Sequence, residues 1–492
     1  MQKAWTESKE PEGALPQSQI EPKMTQSSRA RTETDSFGPI DVPGDALWGA
    51  QTARSLRFFA IGEQRMPLAI VHALAQVKRA AAEVNADLGL LSPARAAAIA
   101  AAATRIAAGE LDAQFPLSVW QTGSGTQSHM NVNEVIAHLA TCTLDAADDG
   151  PCAMHRVHPN DDVNLGQSSN DVFPTAMHIA AVLRSRLLLA SLAGLRAALR
   201  TKAEAFSGIV KVGRTHLQDA TPVTFGQEFG GYDAQLALAE AAIRRALPDV
   251  HALAIGGTAV GTGLNTHPEF GARVAAVLAQ RLDAPFVVAD NLFAAMAGHE
   301  ALVGLHGALR TLAVALNKIA NDIRLMGSGP RAGLGELKLP ANEPGSSMMP
   351  GKVNPTQVEA LTMVCAQVMG HDVAIGIAAS QGQFELNVYK PLIALNLQDS
   401  LRLLADAMTS FRAHCIEGIE VDAERAQAQV THSLMGVTAL VPHIGYDRAS
   451  RVARHAHVHG LGLRQAALET GGISAAEYDA WVGDADAAAR GA

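Results

Sequence analysis

Residues 302–327 read LVGLHGALRTLAVALNKIANDIRLMG, and the spacing of their large apolar side chains decides the fold class. Leu302, Leu305, Leu309, Leu312, Leu316, Ile319 and Ile323 recur at alternating steps of three and four, the period of one helix face. Gly327 follows as a stop signal. Steps of three and four sustained this long suit helices packed nearly parallel with a left-handed twist.

Outward from this stretch the same period returns. Ile70, Leu74, Val77, Ala81, Val84 and Leu88 predict a second helix, with Gly89 as its C-terminal cap. Pro174 opens another predicted segment, with Leu188, Leu192, Leu195 and Leu199 on one stripe and Phe206 near its end. Two more long helices are expected at about 355–377 and 391–415. Aromatic residues are only 4% of the chain, so the core is built from Ala, Leu, Val and Ile, which favours close-packed helices over a β-sandwich. Alternating period-two runs are rare, so little sheet is expected. The predicted fold is mainly α, a long-helix bundle (166–420) with small N-terminal (37–165) and C-terminal (421–492) domains. Residues 1–36 carry Pro11, Pro16 and Pro22 with no period and are expected to form a disordered tail, in which Met24 is a candidate second start.

The 492 residues are 48% apolar and 18% charged, the profile of a packed protein, and the net charge is −9. That balance argues against nucleic acid or an anionic membrane as partner, and an anionic substrate would need a local cluster of cations. No long uncharged apolar run and no apolar N-terminal stretch predict a membrane span or a signal peptide. Cys142, Cys152, Cys365 and Cys415 form no CxxC pair, so neither a zinc site nor a disulfide framework is signalled and a cytoplasmic setting is expected.

The chemistry is expected in polar segments between the helices. Thr122–Asn131 contains Ser124, Gly125 and Thr126, small and hydroxyl residues that suit carboxylate oxygens but equally suit a turn before a helix. His158, Pro159, Asn160 and Asp161, followed by Ser168, Ser169 and Asn170, lie ahead of a long helix and could be caps or an anion site. Thr215 and His216 sit in a polar run, where a catalytic and a structural histidine are about equally expected. Asn342–Pro355 superficially matches a phosphate loop, but the glycine spacing is wrong and Val353 replaces the required hydroxyl residue. It reads better as a mobile loop that brings Ser346, Ser347 and Lys352 to an anion site, with Asn354 capping a helix that starts at Pro355.

In this order, these segments resemble the fumarase/aspartase superfamily, from about Gly38 into the C-terminal domain, with Gly345–Pro355 similar to its signature loop. His216 in Arg-Thr-His-Leu-Gln-Asp, where aspartases usually carry Gln, and Gly351, where they usually carry Ala, resemble the class II fumarases. His129, where many relatives have Asn, and Leu165-Gly166 are departures. The resemblance implies reversible hydration of fumarate through an aci-carboxylate intermediate, with no metal or cofactor. It implies Ser346 as base, Lys352 as charge stabiliser, and His216 paired with Glu359 at the leaving hydroxyl. Ser124, Gly125, Thr126, Ser168, Ser169, Asn170, Thr215, Ser347, Lys352, Val353 and Asn354 would grip the substrate's carboxylates. His158 to Asp161 resemble a second, non-catalytic dicarboxylate site. The implied assembly is a homotetramer with shared active sites. Alternatives are an aspartase, another lyase of the superfamily, or a non-catalytic helical scaffold.

Overall fold

The Leu302–Ile323 stripe is buried along its whole length, each side chain 0–1% exposed. Burying such side chains contributes about 1.5–3 kcal/mol each. That far exceeds the roughly 1 kcal/mol that each interior glycine, here Gly304 and Gly307, costs a helix. A computed structural model describes residues 30–147 and 156–482. It opens with a hairpin of β1 (Arg31–Asp35) and β2 (Gly38–Val42), followed by α1 (Ala50–Phe58), α2 (Leu68–Asp87), α3 (Pro93–Ala107) and α4 (Thr126–Ala147). Then come α5 (Ser169–Ala205), the hairpin of β3 (Val210–Thr215) and β4 (Gln218–Thr224), and α6 (Phe225–Val250). A short parallel pair, β5 (Ala252–Leu253) and β6 (Val287–Val288), brackets α7 (Phe270–Leu282) and precedes α8 (Leu292–Ala297) and α9 (Glu300–Met326). β7 (Leu337–Lys338), α10 (Thr356–Ala379), the small hairpin β8 (Gly382–Gln383) and β9 (Leu386–Asn387), and α11 (Lys390–His414) follow. The chain then adds β10 (Glu420–Val421), which pairs with β7, and α12 (Ala423–His432). It ends with α13 (Val441–Ile444), α14 (Tyr446–His459), α15 (Leu463–Thr470) and α16 (Ala475–Trp481).

Helices α5, α6, α9, α10 and α11 close on one another in that order, α11 returning to α5, so the fold is the predicted long-helix bundle. All the sheets among the described residues are two-stranded. One core runs through the bundle and the N-terminal helices, and a second, separate one joins Leu440, Ala449, Val452, Leu463, Ala466 and Tyr478.

Several local expectations change. Arg31–Asp35 are a strand, not part of a tail. Arg31 donates to the carbonyls of Pro43, Ala46 and Trp48, and Asp35 pairs with Arg54 at 2.8 Å. Residues 1–29, with the prolines and Met24, lie outside the described residues. Helix α5 starts at Ser169, not Pro174, because Ser168 and Asp171 form a reciprocal capping box five residues earlier. Asn354 does not cap α10; Pro355 occupies that position, and the Asn354 amide is engaged elsewhere in its loop. Cys142 is disulfide-bonded, against expectation, while Cys365 and Cys415 are buried free thiols. By length and composition α5 and α10 could cross a membrane; α5 is a core helix, but only 22% of the apolar window of α10 is buried within the chain.

Candidate active site

The predicted site residues fall into two groups at opposite ends of the bundle. The N-terminus of α11 touches the loop before α4, Lys390 N–H donating to Gly123 O at 3.0 Å. Its C-terminal part lies beside the later turns of α5, Thr409 bonding Ser191 at 3.0 Å, so α5 and α11 run the same way. Helix α10 runs against them, since Gln357 at its start accepts from Ser410 near the end of α11.

The first group surrounds the N-termini of α4 and α5. Gly125 turns the chain at φ +78°, and any side chain there would overlap the Phe173 ring of α5. Ser124 and Thr126 share a 2.8 Å hydrogen bond. His129, one turn into α4, meets Ser169 Oγ at 2.7 Å through Nδ1 and so ties the two helix starts together. Asn170 donates to Ala259 O at 2.8 Å. Two helix N-termini side by side, with this many hydroxyls, favour an anion even though some of their N–H groups are already capped.

Beneath this surface lie two fully buried ionisable groups, Lys78 and Asp171, that sequence reasoning missed. Lys78 is fully buried and donates to Asn164 Oδ1 and Gln167 Oε1 at 2.8 and 2.9 Å. Asp171 accepts from the backbone N–H of Ser168, Gly256 and Thr258. Burial pushes the Asp171 carboxyl up to about 6, against the pull of those donors and of Lys78. Burial likewise pushes Lys78 and His129 well down. Of the four charged residues of α2, only Lys78 is buried, and its place beside the apolar stripe is shared by Glu83, so the sequence did not single it out. Lys390, behind Gly123, is buried against the carbonyls of Met296 and Asn387, and desolvation lowers it to about 7.

The second group lies at the far end. Gly345–Pro355 forms a loop ahead of α10, closed by Gly345 N–H to Lys352 O at 2.9 Å and by Asn354 Nδ2 to Gly345 O at 2.5 Å. Lys352 Nζ reaches Asn354 Oδ1 at 2.6 Å. The Ser346 hydroxyl oxygen accepts the backbone N–H groups of Met348 and Met349 at 3.2 and 2.9 Å. Glu359 is exposed in the first turn of α10. Thr215 and His216 sit at the exposed tip of the β3–β4 hairpin, where His216 and Leu217 hold φ of 56° and 60°. Both being positive is the two-residue hairpin geometry that usually takes Asn or Gly. The hairpin is fixed close to its turn by Glu336, fully buried, which takes two bonds from Arg214 at 2.9 and 2.8 Å.

Helix α5 is continuous through Gly194, so its 37 residues separate the groups. At about 1.5 Å per residue that is ~55 Å. The roughly ten residues from Phe206 to His216 could recover at most ~35 Å if fully folded back. About 20 Å would remain, too far for a four-carbon substrate to bridge.

His158, Pro159 and Asn160 line a cavity of about 740 Å³ with Arg31, Glu134 and His138. The backbone N–H groups of Asn160 and Asp161 donate to His158 Nδ1. Asp161 is not among the residues lining that cavity, and its side chain is 84% exposed. Among the described residues no group of three His, Cys, Asp or Glu could hold a metal ion.

The helical bundle and its polar loops define a lyase: residues 38–370 match the family described as Lyase, and residues 437–483 match the one described as Fumarase C C-terminus. Fumarate hydratase class II of Chromobacterium violaceum is 63% identical over 92% of this chain and 98% of its own. That of Thermosynechococcus vestitus is 60% identical over 92% and 96%. The crystal structure of class II fumarase from Schistosoma mansoni superposes with a TM-score of 0.91 at 45% identity, covering 94% of this chain and 99% of that one. The chain belongs to the class II fumarate hydratase family.

Proposed function

We propose that the chain adds water to fumarate to give (S)-malate, and catalyses the reverse dehydration, at sites assembled between the copies of a homotetramer. In the dehydration direction a proton must leave carbon next to a carboxylate, and the electron pair must move into that carboxylate as an aci-carboxylate dianion. Ser346 takes the proton. A serine alkoxide is a costly species, and the observation that carries this assignment is the pair of backbone N–H groups already aimed at Ser346 Oγ. Lys352 and Asn354, with Ser347 and Val353 beside them at the start of α10, meet the charge developing on the carboxylate. His216, paired with Glu359, protonates the leaving hydroxide as water. Ser124, Gly125, Thr126, Ser168, Ser169, Asn170 and Thr215 hold the substrate's carboxylates.

Two observations support assembly from several copies. The two groups of residues are a helix length apart within the chain. Helix α10 also leaves an apolar stripe uncovered, with Met363, Val373 and Ile377 each at least 60% exposed and Ala366 and Gly370 between them. An apolar helix face of this length fits a partner helix. His158, Pro159, Asn160 and Asp161 are assigned a second, non-catalytic dicarboxylate site, the first three lining the cavity beside Arg31. The reaction is assigned to the tricarboxylic acid cycle.

The decisive assay follows fumarate absorbance with water alone and with ammonia. Loss of fumarate with formation of malate, unchanged by ammonia, is expected. Aspartate as the product would reassign the chain to ammonia addition, and no turnover would leave a helical scaffold.

A further inference from the structure

The buried ring of His129 raises a question of proton placement. Its Nδ1 lies 2.7 Å from Ser169 Oγ, while its Nε2, inside a fully buried side chain, has no hydrogen-bond partner. Burial and the nearby Lys78 charge keep the ring neutral, so it carries one proton. With that proton on Nε2, a buried N–H would go unpaired and Ser169 would have to donate to Nδ1. With the proton on Nδ1, the ring's only N–H is used and just a lone pair goes unmatched. Orphaned buried N–H groups are the rarer and costlier case.

We infer that His129 is a positioning residue: it donates Nδ1–H to Ser169 Oγ and thereby keeps the Ser169 hydroxyl proton free to donate to a carboxylate of the substrate. The inference rests on the assignment of Ser169 to dicarboxylate binding. Its chemical sense is direct. A dianion needs donors, and a serine hydroxyl has one proton to give. A ring nitrogen that accepted that proton would present the substrate with an oxygen lone pair instead. Ser169 is the first residue of α5, so its donor adds to the positive end of a 37-residue helix.

The test is a double-mutant cycle. Asn places its Nδ2 where His carries Nδ1, one bond beyond Cγ, and can donate; Leu has the same branched shape and cannot. His129→Leu is expected to lower kcat/KM for fumarate about tenfold, mostly through KM, the scale of one hydrogen bond to a charged group. His129→Asn recovers most of that loss. In a Ser169→Ala background, His129→Leu costs less than about twofold more, because its route of action is gone. The inference is overturned if His129→Leu stays within about twofold of wild type, if Asn does no better than Leu, or if the Leu and Ala losses simply multiply. Neutron diffraction of the wild-type protein covers the case in which the Leu variant fails to fold: a deuteron on Nδ1 is expected, and one on Nε2 overturns the inference. Wild-type turnover of fumarate separately checks the reading on which this rests.

Discussion

Glu336 anchors the hairpin that carries His216, and its removal has a calculable cost. The carboxylate is fully buried, takes two bonds from Arg214 at 2.9 and 2.8 Å, and lies 3.9 Å from Lys211, which is itself paired with Glu228 at 2.7 Å. Glu336→Met leaves the Arg214 guanidinium partly buried with Gln429 as its remaining side-chain partner. Breaking a buried pair by removing one member costs about 3–5 kcal/mol, whereas replacing both members with apolar groups is often close to neutral. Glu336→Met is therefore expected to lose about 3–5 kcal/mol, and Glu336→Met with Arg214→Met about 1 kcal/mol or less, a coupling of at least ~2 kcal/mol. Urea unfolding followed by circular dichroism measures the stabilities. Hydrogen exchange of amides 210–224 reports whether the hairpin loosens, and kcat should fall with it. If the double variant is as unstable as the single, or the hairpin amides stay protected in Glu336→Met, the pair does not hold the hairpin.

Ser346→Ala should lower kcat by several orders of magnitude while KM changes little, because the base acts in the transition state; near-normal turnover in steady-state assays would remove Ser346 from that role. A chain beginning at Ala30 should melt like the full protein, whereas one beginning at Phe37 loses the Arg31 bonds to three carbonyls and the Asp35–Arg54 pair and should melt lower by calorimetry. Burial depresses Lys390 from 10.5 to about 7. The group therefore costs the folded state nothing above pH 10.5, and the cost grows as pH falls toward 7, because the unfolded chain takes up the proton first. At about 1.4 kcal/mol per unit the swing is at most ~5 kcal/mol. Melting curves of Lys390→Met should gain on wild type as pH drops from 10 to 7, and parallel curves would contradict the depressed lysine.

The bundle was legible because long apolar stripes such as Leu302–Ile323 leave no other way to bury their faces. The start of α5 was misplaced because Pro174 is a conspicuous helix opener, yet the Ser168–Asp171 capping box satisfies more N–H groups and moves the start upstream. The β3–β4 hairpin was not foreseen. Its turn residues, His216 and Leu217, lack the usual Asn or Gly, and the successive burial of Val210, Lys211, Val212 and Gly213 hides the alternation of a strand. The site segments were legible as polar, glycine-rich breaks between helices. Their supports underneath, Lys78 bonded to Asn164 and Gln167 and Glu336 bonded to Arg214, were not, because the partners lie 86, 89 and 122 positions apart. No local spacing encodes such a contact.

The shared site is most directly tested by complementation across the length of the bundle. Ser346→Ala removes the base at one end, and Asn170→Asp sets a negative charge in the anion-binding group at the other. Each variant alone should be nearly inactive. Unfolded, mixed in equal amounts and refolded, they should regain about a quarter of wild-type activity, since random assembly gives that share of sites both native groups. Mixed oligomers that form, as shown by differential tags, yet stay at the activity of the separate variants would contradict a site built from more than one chain.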